Sequence, residues 1–157
     1  MNAAKPPNTR KLFGQIAKEL GFQGSGVTRY IEFPTYYLLV NHQGSVYGKC
    51  FYVNVAIYYK ELLDKPLEDK DITDTFKVHS AVWPHVTFRI EGCPTVPADL
   101  QEHFDHLVKV DRMDDLKEIL RDALQKMLAF MRENHDRKTI RRLNDAKQFP
   151  AMLLKEV

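Results

Sequence analysis

Two cysteines in 157 residues are too few to staple a fold, and connectivity cannot be read from their spacing, so pairing of Cys50 with Cys93 stays open. Both sit in strand-like stretches as small hydrophobic residues, which suits a reducing compartment. No apolar run approaches the ~20 residues of a membrane-spanning helix, and residues 1–7 are polar and proline-rich without the apolar core of a secretory signal. These features predict a cytoplasmic protein with a flexible 1–7 segment and no membrane partner. Charge of one sign is also scarce. The formal net charge is +2, which gives no electrostatic mandate for nucleic acid or lipid. No complete catalytic, cofactor or metal motif is present, so no cofactor is expected. What is present is ordinary for a folded protein: 44% hydrophobic and 28% charged residues in a length that fits one domain, 1–157.

Periodicity gives the order of elements. Asn8 or Thr9 caps a first helix whose Leu12, Phe13, Ile16, Ala17 and Leu20 share one face, and Gly21-Phe22 stops it. Residues 27–33 and 35–43 alternate as strands, with a hairpin turn at Gly44-Ser45. Residues 46–59 form the longest strand. Phe51, Val53, Val55 and Ile57 lie on one side of it, and Cys50, Tyr52, Asn54, Ala56 and Tyr58 on the other. Two largely apolar faces predict a central strand. Residues 60–82 read as a long charged loop with a short helix near Asp71. Residues 83–92 form a fourth strand, with Val86, Phe88 and Ile90 facing one way and His85, Thr87, Arg89 and Glu91 the other. Helices follow over 98–107, 113–135 and 137–149, and Met152, Leu153 and Leu154 offer the tail a docking point. The predicted class is α+β: an antiparallel sheet of about four strands with an N-terminal helix and C-terminal helices packed on it.

Several local patterns recur in this order: the helix ending in Gly21-Phe22, the Asn41-x-Gln43-x-Ser45 segment, the Phe51-x-Val53-Asn54 strand, and the His85-x-x-x-Arg89-Ile90 strand. Together they resemble a family of small bacterial proteins known only as a domain of unknown function. The resemblance spans roughly residues 12–91. It departs from the family pattern where Glu91 separates the Arg-Ile pair from Gly92. It implies an α+β fold and no established activity.

Four sets of residues carry candidate chemistry. Asn41, Gln43, Ser45, Asn54, His85 and Arg89 form a polar set on strands and a turn. Arginine can hold a carboxylate or phosphate in two-pronged fashion, histidine can move a proton near neutral pH, and amides orient a ligand. The same amides can instead satisfy backbone groups, and no acidic partner at diagnostic spacing orients His85, so no catalytic triad is supported. His103 and His106 lack both the spacing and the third ligand of a metal site and read as helix surface, so no metal is expected. Arg132, Arg137, Lys138, Arg141, Arg142 and Lys147 make a basic C-terminal run that could face nucleic acid, though no stacking aromatics interleave it. The aromatics Tyr30, Phe33, Tyr36, Tyr37, Tyr47, Tyr52, Tyr58, Tyr59 and Trp83 serve sheet packing or a partner face. The leading expectation is a binding protein that recognises another protein, its sharpest form an inhibitor or immunity-type protein. The alternative is a small enzyme or ligand-binding protein for a phosphate- or carboxylate-bearing substrate.

Overall fold

A computed structural model of the chain describes residues 8–45 and 50–157. The expected flexible 1–7 segment, the start of the third predicted strand and Tyr47 lie outside them. The first helix, α1 (Thr9–Glu19), begins where Asn8 Oδ1 accepts from the Lys11 backbone N–H. It ends at Gly21, whose φ of +94° glycine adopts without Cβ strain. There the Phe22 N–H returns to the Ala17 carbonyl, and the phenylalanine ring is buried.

Five antiparallel strands follow the chain order across one sheet: β1 (Thr28–Glu32), β2 (Tyr36–Gly44), β3 (Phe51–Tyr59), β4 (Val86–Arg89) and β5 (Met152–Leu153). The expected four strands are there, and the C-terminal tail adds the fifth. The β2–β3 ladder runs on to Gly44 opposite Phe51, and the Ser45 N–H meets the Cys50 carbonyl. Gly44 is therefore a paired strand residue and not the expected hairpin turn, and residues 46–49 lie outside the described residues. The predicted fourth strand stops at Arg89, because Ile90–Gly92 forms a 3-10 turn that buries Ile90.

The four larger helices lie on one face: α1, then α3 (Leu100–Lys109), α4 (Met113–Asn134) and α5 (Arg137–Asp145). Phe51, Val53, Val55 and Ile57 point into this core with the α4 stripe Leu116, Leu120, Ala123, Leu124, Met127, Leu128 and Met131. Each such side chain removed from water contributes about 1.5–3 kcal/mol. The opposite face carries a smaller cluster of Tyr37, Leu39, Ala56, Tyr58 and Ile72.

That second cluster corrects the reading of residues 60–82 as an irregular loop. The segment contains a 3-10 turn at Lys60–Leu62 and, where a short helix was expected near Asp71, α2 (Asp69–Asp74). A reciprocal capping box between Glu68 and Asp71 starts α2. Ile72 is buried, and Leu63, Leu67, Phe76 and Val82 pack beside it. Tyr58 Oη donates to the Val82 carbonyl at 2.8 Å and lies 2.9 Å from Thr75 Oγ1. The segment is thus a cover over half of the second sheet face, and the other half stays open.

No helix among the described residues is long and apolar enough to cross a membrane. Cys50 and Cys93 are both free thiols.

Candidate functional site

Antiparallel register lines up Thr28, Asn41, Asn54 and Arg89 as one row across β1, β2, β3 and β4. Residues two apart share a face, so Gln43 and Tyr52 form the adjacent row on the same open side. The amides are wired together. Asn54 Nδ2 donates to Asn41 Oδ1 at 3.1 Å and to Gln43 Oε1 at 2.9 Å. Asn41 Nδ2 donates to Thr28 Oγ1 at 3.0 Å. Thr28 and Asn41 are buried, and this chain of bonds meets the need of buried polar groups for partners. Asn54 thereby uses its amino group within these two rows.

Arg89 ends the row. Its guanidinium lies 3.8 Å from the centre of the Tyr52 ring, a cation–π stack that occupies one flat face of the group. It is exposed and makes no ion pair among the described residues. The guanidinium also lies within hydrogen-bond reach of the Tyr52 hydroxyl, and the rest of its five N–H groups are free to bind a carboxylate or phosphate.

These residues floor an open groove of about 850 Å³. One wall comes from Thr73, Phe76 and Lys77 of the 60–82 cover, the other from Pro150, Ala151 and Met152. Lys77 pairs with Asp74 at 3.2 Å, and this contact holds the Asp74 carboxyl below its ordinary pKa. Arg89 is therefore the groove's uncompensated cation among the described residues. Met152 is 78% exposed and gives the second wall an apolar tip.

Two histidines belong to the surroundings and not to this chemistry. His42 borders the groove but points into the core side, stacked on Phe51 at 5.1 Å with Nε2 2.8 Å from Thr9 Oγ1. Burial pushes its pKa down, so it is neutral at pH 7. His85 corrects the expectation that it converges with Arg89. Four residues of extended chain span about 13 Å, so the two side chains cannot meet one small group. His85 instead lies at the far end of β4, buried, where its Nδ1 accepts the Tyr59 backbone N–H at 2.8 Å. The proton then sits on Nε2. Its ring packs at 6.0 Å from Tyr59 and 5.8 Å from Tyr58. Its carbonyl accepts from Leu154 N–H at 2.9 Å, joining β4 to the tail. Burial lowers its pKa as well.

Ser45 also lies apart from the groove. Its hydroxyl accepts from the Cys50 N–H at 3.4 Å, at the mouth of the β2–β3 hairpin. So the structure joins Asn41, Gln43, Asn54 and Arg89, and leaves out Ser45 and His85. Thr28, Lys77 and Met152 were missed. A register drawn through Asn41 and Asn54 would have found Thr28; nothing in the sequence signals the other two.

The remaining candidates are occupied by structure. His103 Nε2 sits 3.1 Å from Asp99 on an exposed helix face. No group of three or more His, Cys, Asp or Glu among the described residues is placed to hold a metal ion. In the basic run, Arg137 bonds Glu61 at 3.1 Å and the Glu156 carbonyl. Arg141 bonds the carbonyls of Leu154 and Val157. These two arginines pin the C-terminal tail. Of the aromatics, Tyr36, Tyr37, Tyr58 and Tyr59 are core, while Trp83 is 68% exposed.

Residues 13–133 match the family model described as a domain of unknown function, DUF4304, and the chain belongs to that family. The match extends well into α4, beyond the 12–91 span of the motifs, and stops short of α5 and β5. No curated protein and no solved structure matches the chain.

Proposed function

We propose that this chain is a binding protein without a catalytic step, and that the groove on the open half of its sheet holds an acidic segment of another protein. The observation that carries this reading is the convergence of three amides and an unpaired, ring-stacked Arg89 in one groove with an apolar rim. Arg89 takes the carboxylate, Asn54 and Gln43 orient the neighbouring backbone, and Met152 packs against an apolar side chain. The exposed Trp83, and Val78 next to Lys77, give the cover further apolar contact for a partner of protein size. Support for the absence of catalysis comes from the lining itself. Its ionisable members among the described residues are His42, Lys77 and Arg89, the first turned to the core and the second paired. An inhibitor or immunity-type protein acting on an acidic target surface is the sharpest form of this reading.

A second reading is favoured by the groove's size. A volume of about 850 Å³ lies in the range of small-molecule sites, so a single carboxylate or phosphate ligand fits the same Arg89 clamp.

The test is affinity capture from the native organism with tagged wild type and Arg89→Ala side by side, followed by titration of the purified pair. Loss of the arginine contact weakens binding by about 1.5–3 kcal/mol, roughly 10–150-fold. Arg89 is exposed, so the variant keeps its fold. A stoichiometric protein captured by wild type and lost with Arg89→Ala supports the first reading. Equal capture by both proteins rejects the groove as the recognition site. No protein partner, together with Arg89-dependent heat from small carboxylates or phosphate, moves the function to the second reading.

A further inference from the structure

A second groove, of about 710 Å³, lies on the other side of β1, between α1 and the turn that follows it. Arg10, Lys11, Lys18 and Arg29 line it, and no carboxylate does among the described residues. None of these four cations makes an ion pair within the described structure. On α1 the lining positions Arg10, Lys11, Gly14, Gln15 and Lys18 recur at three- and four-residue spacing, which puts them on one helix face. Four like charges gathered in one groove repel each other and lower the energy of an anion placed among them.

Arg29 is built into the groove. Its Nε donates to the Gly26 carbonyl and its Nη1 to the Gly24 carbonyl, both at 3.0 Å. A guanidinium has five N–H groups, so the rest of the fork is available to a ligand. Gly14 makes this placement possible, since a Cβ there would stand 2.8 Å from Arg29 Nη2. The fork is therefore held against a bare stretch of helix next to two lysines. The N-terminal end of α1, with its cap Asn8, borders the same groove and adds the favourable end of the helix dipole for negative charge.

We infer that this groove is a site for a small polyphosphorylated anion, a nucleoside triphosphate or inorganic polyphosphate, held by Arg29 with Arg10, Lys11 and Lys18. Its volume fits one small ligand. Its one aromatic, Phe22, is buried, so the groove lacks the stacking platform of a single-strand nucleic-acid site. The inference is independent of the groove that contains Arg89, which lies on the opposite face of the sheet.

The test is calorimetric titration of the full chain with inorganic tripolyphosphate and with ATP at about 50 mM salt, where screening is weak. The variants are Gly14→Ala and the double variant Lys11→Gln/Lys18→Gln. Both probes bind one per chain. Gly14→Ala dislodges the Arg29 fork yet puts a better helix former in α1, so affinity falls about tenfold while the melting temperature holds or rises. The lysine double variant loses at least as much. Equal affinity for the two probes identifies phosphate as the sole determinant, and tighter ATP binding adds the nucleoside; either supports the site. Absence of heat with both probes, affinity unchanged in both variants, or tighter binding of a 12-base-pair DNA duplex than of tripolyphosphate would overturn it.

Discussion

His85→Phe removes one hydrogen-bond acceptor and little else. The phenylalanine ring occupies the same buried space against Tyr58 and Tyr59, 5.8 and 6.0 Å away in the wild type. The Tyr59 backbone N–H, bonded to Nδ1 at 2.8 Å, is left with no acceptor in a buried position. Such an orphan costs about 1–3 kcal/mol. At about 2 kcal/mol the melting temperature of a chain this size falls by roughly 4–8 °C. His85→Ala adds the loss of the ring to the same orphan, so its cost rises to about 3–5 kcal/mol.

The pH dependence separates this structural account from a functional one. The folded state lowers the pKa of His85 below its ordinary 6.5, chiefly by burial. The unfolded chain then binds more protons than the folded one as pH falls through 6.5. Wild-type stability is therefore full above about pH 7 and declines from there toward the lowered folded value. His42 shifts in the same direction and stays in both proteins, so it cancels in the comparison. The stability gap between wild type and His85→Phe is widest at pH 8 and narrows toward pH 5. Urea unfolding followed by circular dichroism at both pH values reads it directly. Coincident midpoints for the two proteins at pH 8 would refute the argument. So would loss of ligand binding at unchanged stability, which would return His85 to the recognition chemistry.

Three further outcomes follow from the same packing. Asn41→Leu breaks the buried Thr28–Asn41–Asn54 chain and strands the Thr28 hydroxyl, for a loss of about 1–2 kcal/mol in urea unfolding. Leu120→Ala leaves a cavity at a fully buried α4 position and costs about 2–5 kcal/mol, read by the same assay. In native protein, iodoacetamide labels the partly exposed Cys50 well before Cys93, which is buried and whose thiol burial pushes up, as peptide mass mapping over time will show.

The sheet was legible in the sequence because its central strand is long and largely apolar on both faces. Phe51, Val53, Val55 and Ile57 were legible as one face and the α4 residues as one stripe, while which face the helices cover came only with the packing. β5 was not legible as a strand, because two residues carry no period; Met152 and Leu153 become a strand only where β4 offers an edge. The 60–82 cover was missed for a related reason. Its anchors Leu63, Leu67, Ile72, Phe76 and Val82 follow no single repeat, and their common target, the Tyr58 face, exists only after the sheet has formed.

The groove depends on a quantity that a single strand does not contain, the register between strands. Asn41 and Asn54 suggest polar business when read separately. Only their pairing, with Thr28 on one side and Arg89 on the other, turns four residues spread over positions 28–89 into one row. The same geometry separates His85 from Arg89, although the two are close in sequence and were expected on one face. Closeness along a strand is distance in space, at about 3.3 Å per residue, while opposition across strands is contact. Recognition residues on a sheet are therefore to be sought one per strand, along the rows. On this sheet the row that ends in Arg89 is the one the helices and the 60–82 cover leave open.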